Sequence, residues 1–342
     1  MRSFLLLNVA LALAAPARAG SFEADSLSSG ETFAGAAREL SALVPASREA
    51  APKPPVVCSA LDFGGVTWPD AMTADDRAAF ELALNISGSF EGSDAWVNLT
   101  NNFDGQGLSL GLLNQCLGQG SLQPMLIRLR DQHPGTLKAL VGPEHLRGLL
   151  DMLARWQSAP RFASEIAPLS RLDNPEEDGG PGTAAANQES VRWAAANLYE
   201  AGDRFTAAWR TELSALASSP EYVSIQIAAA SRLHERAIAD EARVGVRELR
   251  DYLFLFDIQV QNGGLYSQDF DDYAAYLRRT PGAGATQRLE KLLALRLRHV
   301  RKQYEADVRL RKLAVIRGKG SVHGEARDLP AQYCYDAVWP YR

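Results

Sequence analysis

The sequence predicts a mainly α-helical chain with one small β-hairpin element, an α+β fold in which helices dominate. Three observations carry this. Beyond Ser121, apolar residues recur at three- and four-residue spacing through most of the chain. One stretch, residues 89–124, is instead dense in Gly, Asn and Gln and lies between two helical patterns. No repeat period and no regular alternation of strand and helix is visible, which argues against a solenoid and against a parallel α/β sheet.

The elements are justified in order. The 342 residues open with MRSFLLLNVALALAAPARAG, a charged start, an apolar run from Phe4 to Ala15 and an Ala-Arg-Ala site. This reads as a signal peptide over residues 1–19, with an apolar run too short to span a bilayer comfortably. Residues 20–55 are rich in Ala, Ser, Gly and Pro and end in APKPP, so a surface linker is expected there and a folded domain over 56–342. Thr73 opens a capping-box-like start. From there to about Gly88, Ala79 and Phe80 recur as Ala83 and Leu84, and Leu82 pairs with Ile86. "AWVNL" and "LSLGLLNQ" suggest short strands around a turn at "NNFDGQG". Helices are then expected over "LQPMLIRLRDQ" and "PEHLRGLLDMLARWQ". A long loop follows over "RLDNPEEDGGPGTAAANQES". Further helices are expected at 188–201, 204–218, 220–241, 244–260 and 285–313, before an irregular tail.

Composition excludes some functions. Loss of Arg2 and Arg18 with a leader takes the formal net charge from −5 to −7. A mildly acidic chain without a basic cluster is a poor nucleic-acid binder. No later segment is apolar and long enough for a membrane span. Cys58, Cys116 and Cys334 match no zinc spacing and the five His are scattered, so no metal site and no cofactor are expected. Exported thiols tend to pair and domain termini often lie close together. A Cys58–Cys334 bridge is therefore expected, with Cys116 free on or under the hairpin.

The Gly/Asn/Gln-rich stretch carries the candidate chemistry. Glu91 falls where the first helix runs out, and Asp104 sits at the hairpin turn. Two carboxyl groups facing one groove are what glycoside hydrolysis needs, one to give a proton and one to activate water. Burial near Phe90 or Trp96 would raise the acid. The carboxamides, among them Asn102 and Gln106, suit sugar hydroxyls and acetamido groups. Gly105, Gly107 and Gly111 would let backbone approach a ligand. Trp96 is a candidate sugar-stacking ring. The competing role for these residues is ordinary turn formation. "GLSLG" around Ser109 fits a serine-hydrolase elbow formally, without the strand-to-helix setting that motif needs. "GKGS" lacks the spacing of a phosphate loop, and His323 beyond it is a surface histidine or a visitor to the cleft.

Helix, Glu, hairpin and helical bundle in this order resemble the lysozyme-like superfamily of glycoside hydrolases. "DGQGLSLG" at 104–111 resembles the Asp-x-Arg-Gly-x-Thr-x-Gly motif of the bacterial chitosanases, glycoside hydrolase family 46. The resemblance implies Glu91 as general acid, Asp104 as general base and Ser109 as the hydroxyl that helps hold the attacking water. "YLFLFDIQVQNGG" at 252–264 is similar to the family's Tyr-Asp and Gln-His-Gly helix, which brings in Asp257 and Asn262 as substrate contacts. Gln106 stands at the family's Arg, Ser109 at its Thr and Asn262 at its His. Asp257 has a second reading, a buried salt bridge that anchors a helix.

Three functions follow as expectations. The first is an exported, secreted or periplasmic hydrolase of β-1,4 bonds in an amino-sugar polymer, with peptidoglycan favoured because the hairpin offers neutral carboxamides. The second is a chitosanase on deacetylated chitosan. The third is a non-catalytic protein that binds cell-wall glycan. A lytic transglycosylase would need Glu91 alone.

Overall fold

Thr73 starts the first helix of the computed structural model, which describes residues 58–159 and 181–341. The expected signal segment and linker lie outside those residues. Helix α1, Ala74–Glu91, is capped by the Thr73 side chain, which accepts from the Asp76 amide. Asp75 and Asp76 in its first turn complement the positive end of the helix. It buries Ala79, Phe80, Ala83 and Leu84, the face its periodicity marks out. It continues past Gly88, a position where only glycine fits, since an added Cβ would lie 2.4 Å from Leu112 Cδ1.

The β element is smaller than expected. Strands β1 (Leu99–Thr100), β2 (Ser109–Leu110) and β3 (Gln115–Cys116) form one antiparallel sheet in the order β1-β2-β3. Leu99 pairs with Leu110, Thr100 with Ser109, and Ser109 in turn with Cys116. Ala95–Val97, expected in a strand, is a 3₁₀ turn. Asn102–Asp104 forms a second one, capped by Asn101, whose side chain accepts from the Phe103 amide.

Helices follow: α2 (Gln123–Gln132), α3 (Pro134–Leu140), α4 (Pro143–Ser158), α5 (Pro181–Asn197), α6 (Ala207–Ser218), α7 (Pro220–Val244) and α8 (Leu249–Asn262). Then come α9 (Ser267–Arg279), α10 (Ala285–Leu297), α11 (Lys302–Arg317) and the short α12 (Leu329–Tyr333). Several expectations need correction. Helix α5 occupies the second half of the expected loop, where a run of alanines outweighs the polar residues around it. Residues 199–205 form a small hairpin, β4 (Tyr199–Glu200) with β5 (Arg204–Phe205), rather than helix ends. The expected 285–313 helix is two helices, broken between Leu297 and Lys302. The tail contains a hairpin, β6 (Lys319–Val322) with β7 (Glu325–Asp328).

The apolar residues gather in two clusters. One joins α1, α8, α10 and α11 through Phe80, Leu84, Phe256, Leu292 and Val315. The other joins the sheet, α2, α4 and α6 through Leu110, Leu126, Leu153 and Leu213. Helix α7 serves both. Tyr222 and Ile225 point into the second cluster, Val223, Ile227 and Ala230 into the first. At 25 residues it is roughly 37 Å long and acts as a common spine.

Cys58 and Cys334 are joined, with Cα atoms 5.2 Å apart, and Cys116 is free and buried. The bridge ties the first described residue to the end of α12, where the Cys58 amide also donates to the Tyr333 carbonyl at 3.1 Å. No described helix is long and apolar enough to cross a membrane.

Candidate active site

Between the two clusters lies a cavity of about 320 Å³. Glu91 reaches it from the last turn of α1, and Asp104 from the 3₁₀ turn before β2. The two carboxyl groups singled out in the sequence thus share one wall-to-wall space, each carried by a different element.

Glu91 is held on both sides. Arg311 Nη1 donates to Glu91 Oε1 at 2.7 Å. Arg311 is 2% exposed and spends its other nitrogens on Asp257, with Nε 3.0 Å from Oδ2 and Nη2 2.7 Å from Oδ1. Lys312 Nζ donates to the same carboxylate and to the Asp257 carbonyl. Two acids and two bases therefore form one formally neutral cluster, with Glu91 and Arg311 at its cavity end. Burial alone would raise Asp257, but Arg311 and Lys312 more than offset it and hold that carboxyl far below the usual range. From the hairpin side, Asn114 Nδ2 donates to the Glu91 carbonyl at 3.0 Å and, at a long 3.3 Å, to Oε2. Asn98 Nδ2 donates to Asn114 Oδ1 at 2.6 Å. Oε1 is thus locked on Arg311, while Oε2 carries only the long contact.

Asp104 has a different environment. Its Oδ1 accepts from the Gln106 amide at 3.1 Å. Burial pushes its carboxyl up, and that amide bond offsets the push only in part. A carboxylate whose proton affinity is raised is a better proton acceptor.

The remaining sequence candidates divide. Ser109, buried on β2, and Gln106 and Asn262 line the cavity. Gln106 also accepts from Cys116 Sγ at 3.4 Å, so its head group is partly spent on the hairpin. Asn102 is not in the wall. Its Oδ1 accepts from the Gly107 amide at 2.7 Å and shapes the turn. Trp96 borders the cavity but is 7% exposed, donates Nε1 to the Asp62 carbonyl and packs edge-on against Phe63. It is a packing residue, not a free stacking platform. Asp257, expected as a substrate contact, is fully buried in the ion cluster and meets no solvent. The salt-bridge reading of that residue holds, and it acts on the cavity only through Arg311.

The glycines also have another task. Gly111 adopts φ +91°, and a Cβ there would lie 2.3 Å from Gln226 Oε1. Gly107, at φ +80°, lies against Val191 of α5. Both let the sheet press onto helices rather than onto a ligand. Tyr199 of β4 donates its hydroxyl to the Gly107 carbonyl and clamps the same turn.

Apart from Asn262 and His323, the opposite wall was not read from the sequence. It is built by Gln259, Gln261 and Asn262 at the end of α8, by Tyr266, and by Arg296, His299, Arg301 and Tyr304 around the α10–α11 junction. His323, at φ +51°, lies there too, with Nε2 3.3 Å from Asp307 Oδ1. That hydrogen bond from His323 holds Asp307 below its ordinary value despite burial. One signal was available in the sequence. Arg311 and Lys312 stand at the core positions of a helical pattern with Val308 and Val315, and buried cations there demand a buried acid.

A scan of protein-family models finds no match to the chain, and a search of curated proteins finds none either.

Proposed function

We propose that this is an exported glycoside hydrolase with a lysozyme-like fold that cleaves β-1,4 bonds in an amino-sugar polymer, peptidoglycan first. The observation that carries the reading is the entry of Glu91 and Asp104 into one cavity from a helix end and a hairpin turn. Glu91 serves as general acid through Oε2, with Oε1 steadied by the Arg311 guanidinium. Asp104 serves as general base, its proton affinity raised by burial. Ser109, which lines the same cavity from β2, helps hold the attacking water in this reading. Attack by water on the face opposite the leaving oxygen inverts the anomeric centre. Export is supported by the leader-like start of the chain and by the Cys58–Cys334 bridge, a linkage kept in oxidising compartments.

The opposing wall favours peptidoglycan over chitosan. A polycationic substrate calls for several unpaired carboxylates, whereas this wall presents Arg296, Arg301 and two histidines. The test is release of reducing ends from purified sacculi, chitin and chitosan at equal enzyme concentration. Sacculi should turn over fastest. Glu91→Gln and Asp104→Asn should each lose about 10²–10⁴-fold in rate; Asp104→Asn should keep the wild-type melting temperature, whereas Glu91→Gln takes a charge partner from the buried Arg311 and should lower it. Proton NMR of the first product should show the inverted anomer. Normal turnover by Glu91→Gln would remove the assignment, and loss confined to that variant would indicate a single-acid, lytic mechanism. Faster cleavage of chitosan would restore the chitosanase reading. Binding of sacculi without release of ends would leave a glycan-binding protein.

A further inference from the structure

The segment after α12, residues 335–341, forms no helix, yet its aromatic side chains belong to the core. Tyr335, Trp339 and Tyr341 are buried in the first apolar cluster. The segment runs antiparallel to the start of α8, with Pro340 opposite Glu248. The Leu249 amide donates to the Trp339 carbonyl at 2.8 Å and the Arg250 amide to the Ala337 carbonyl at 3.1 Å. In return the Tyr341 amide donates to the Arg247 carbonyl at 2.8 Å. Leu249 and Arg250 are the first two residues of α8, whose amides find no partner inside the helix. The segment is therefore the cap of α8. At its far end the Tyr341 hydroxyl donates to Asp76 Oδ1 at 2.7 Å, in the first turn of α1. One short stretch thus ties the N-terminal ends of α1 and α8 together. These are the helices that carry Glu91 and Asp257, which meet through Arg311 beside the cavity.

An extended stretch without a sheet ladder has little to offset the entropy of ordering it. The Cys58–Cys334 bridge holds this one covalently at its root. Both bridge cysteines are exposed, whereas Cys116 is buried. Cys334 also sits at φ +53°, a left-handed conformation that residues with a side chain rarely adopt. A bridge at the surface is open to thiol–disulfide exchange. We propose that residues 335–341 are a redox-sensitive strap: with the Cys58–Cys334 bridge closed they cap α8 and pin it to α1, and with the bridge open they lift from both helix ends. Opening takes a dithiol as reductant. Its thiolate attacks one sulfur of the bridge and displaces the other as a thiolate, which takes up a proton. The second thiol of the reagent then resolves the mixed disulfide, so two electrons pass to the bridge and the reagent leaves as a disulfide. Closing is the reverse, with a disulfide as oxidant. The strap acts whatever the cavity cleaves.

Hydrogen exchange read at single amides of the full chain tests this. Dithiothreitol without denaturant should open the bridge and make Cys58 and Cys334 reactive to iodoacetamide, with Cys116 still unlabelled. Exchange at the Leu249, Arg250 and Tyr341 amides should then quicken by about tenfold or more, while Leu213 and Leu216 in α6 keep their rates. Replacing the dithiol with oxidised glutathione should restore the slow rates. The Cys58→Ser/Cys334→Ser variant should show the reduced pattern without any reagent; if it does not fold, the oxidised and reduced wild-type chains decide the matter. Four results would each overturn the strap. They are a bridge that yields only after the chain unfolds, unchanged exchange at the three amides, equal acceleration in α6, and protection that does not return on reoxidation.

Discussion

Asp257 decides more at the scale of one residue than either candidate catalytic carboxyl. Among the described residues it is the only acid with which both Arg311 and Lys312 form ion pairs, and all three are buried. Removing one member of such a cluster leaves charge uncompensated in a dry setting, which typically costs about 3–5 kcal/mol. Asp257→Asn should therefore lower stability by that order in urea unfolding. Asp257→Asn with Lys312→Met deletes one charge of each sign and should recover a large part of the loss, a coupling that a double-mutant cycle measures directly. Additive losses would mean that Lys312 is balanced from elsewhere. The same logic reaches the cavity. Without Asp257, Arg311 has only Glu91 to pair with, so turnover should fall further than stability explains. Gly111 is the counterpart on the hairpin. Gly111→Ala forces a side chain into φ +91° and onto Gln226 Oε1, the acceptor of the Leu112 amide at 2.8 Å.

Among the elements, the α7–α8 pair sets a pH response. Asp240 on α7 accepts from Gln259 on α8. Burial pushes its carboxyl up to about 6, against the Gln259 hydrogen bond that pulls it down. The folded chain then holds a proton that the unfolded chain has released between roughly pH 4 and 6, so this contribution to stability falls as pH rises through that window and is flat above it. Asp240→Asn keeps an acceptor for Gln259 and removes the buried charge. Its unfolding free energy should change less between pH 4.5 and 7 than that of the wild type, and should be equal or higher at pH 7. A wild-type slope in the variant would assign the response to Asp251, whose carboxyl burial also raises to about 6.

What the sequence revealed divides along these elements. Helices with a clear apolar stripe, α1, α4 and α7, could be read because burial of one face is written as period 3.6. Helix α9 was missed although its buried Phe270, Tyr273 and Leu277 recur at three- and four-residue spacing, the same kind of stripe. The β4–β5 hairpin was missed because two-residue strands carry no period at all. Glu91 and Asp104 were legible from their setting at a helix end and a turn. Apart from Asn262 and His323 the opposite wall was not, because α7, α8 and the α10–α11 junction meet only through long-range packing. No local pattern marks Gln259, Arg296 and Tyr304 as neighbours of one cavity.

For the whole molecule, the Cys58–Cys334 bridge closes a loop with a sequence separation of 276 residues that includes all of the second apolar cluster and most of the first. In the chain-entropy view such a closure contributes about 5 kcal/mol by restricting the unfolded chain. For a protein of this size each kcal/mol moves the melting temperature by about 2–4 °C, so reduction should lower it by on the order of 10 °C. The Cys58→Ser/Cys334→Ser double variant should show the same drop in non-reducing buffer, and a drop seen only with reductant would point to an effect of the reductant itself. Cys116 should not take part. Burial pushes its thiol up to about 12, so almost no thiolate exists at neutral pH and exchange with the bridge is slow. Iodoacetamide should leave the native oxidised protein unlabelled and modify Cys116 alone once the chain is unfolded without reductant. Rapid labelling of the native protein at Cys116 would mean that the hairpin opens from the α5 and α7 surfaces far more often than its packing against Val191 and Gln226 implies.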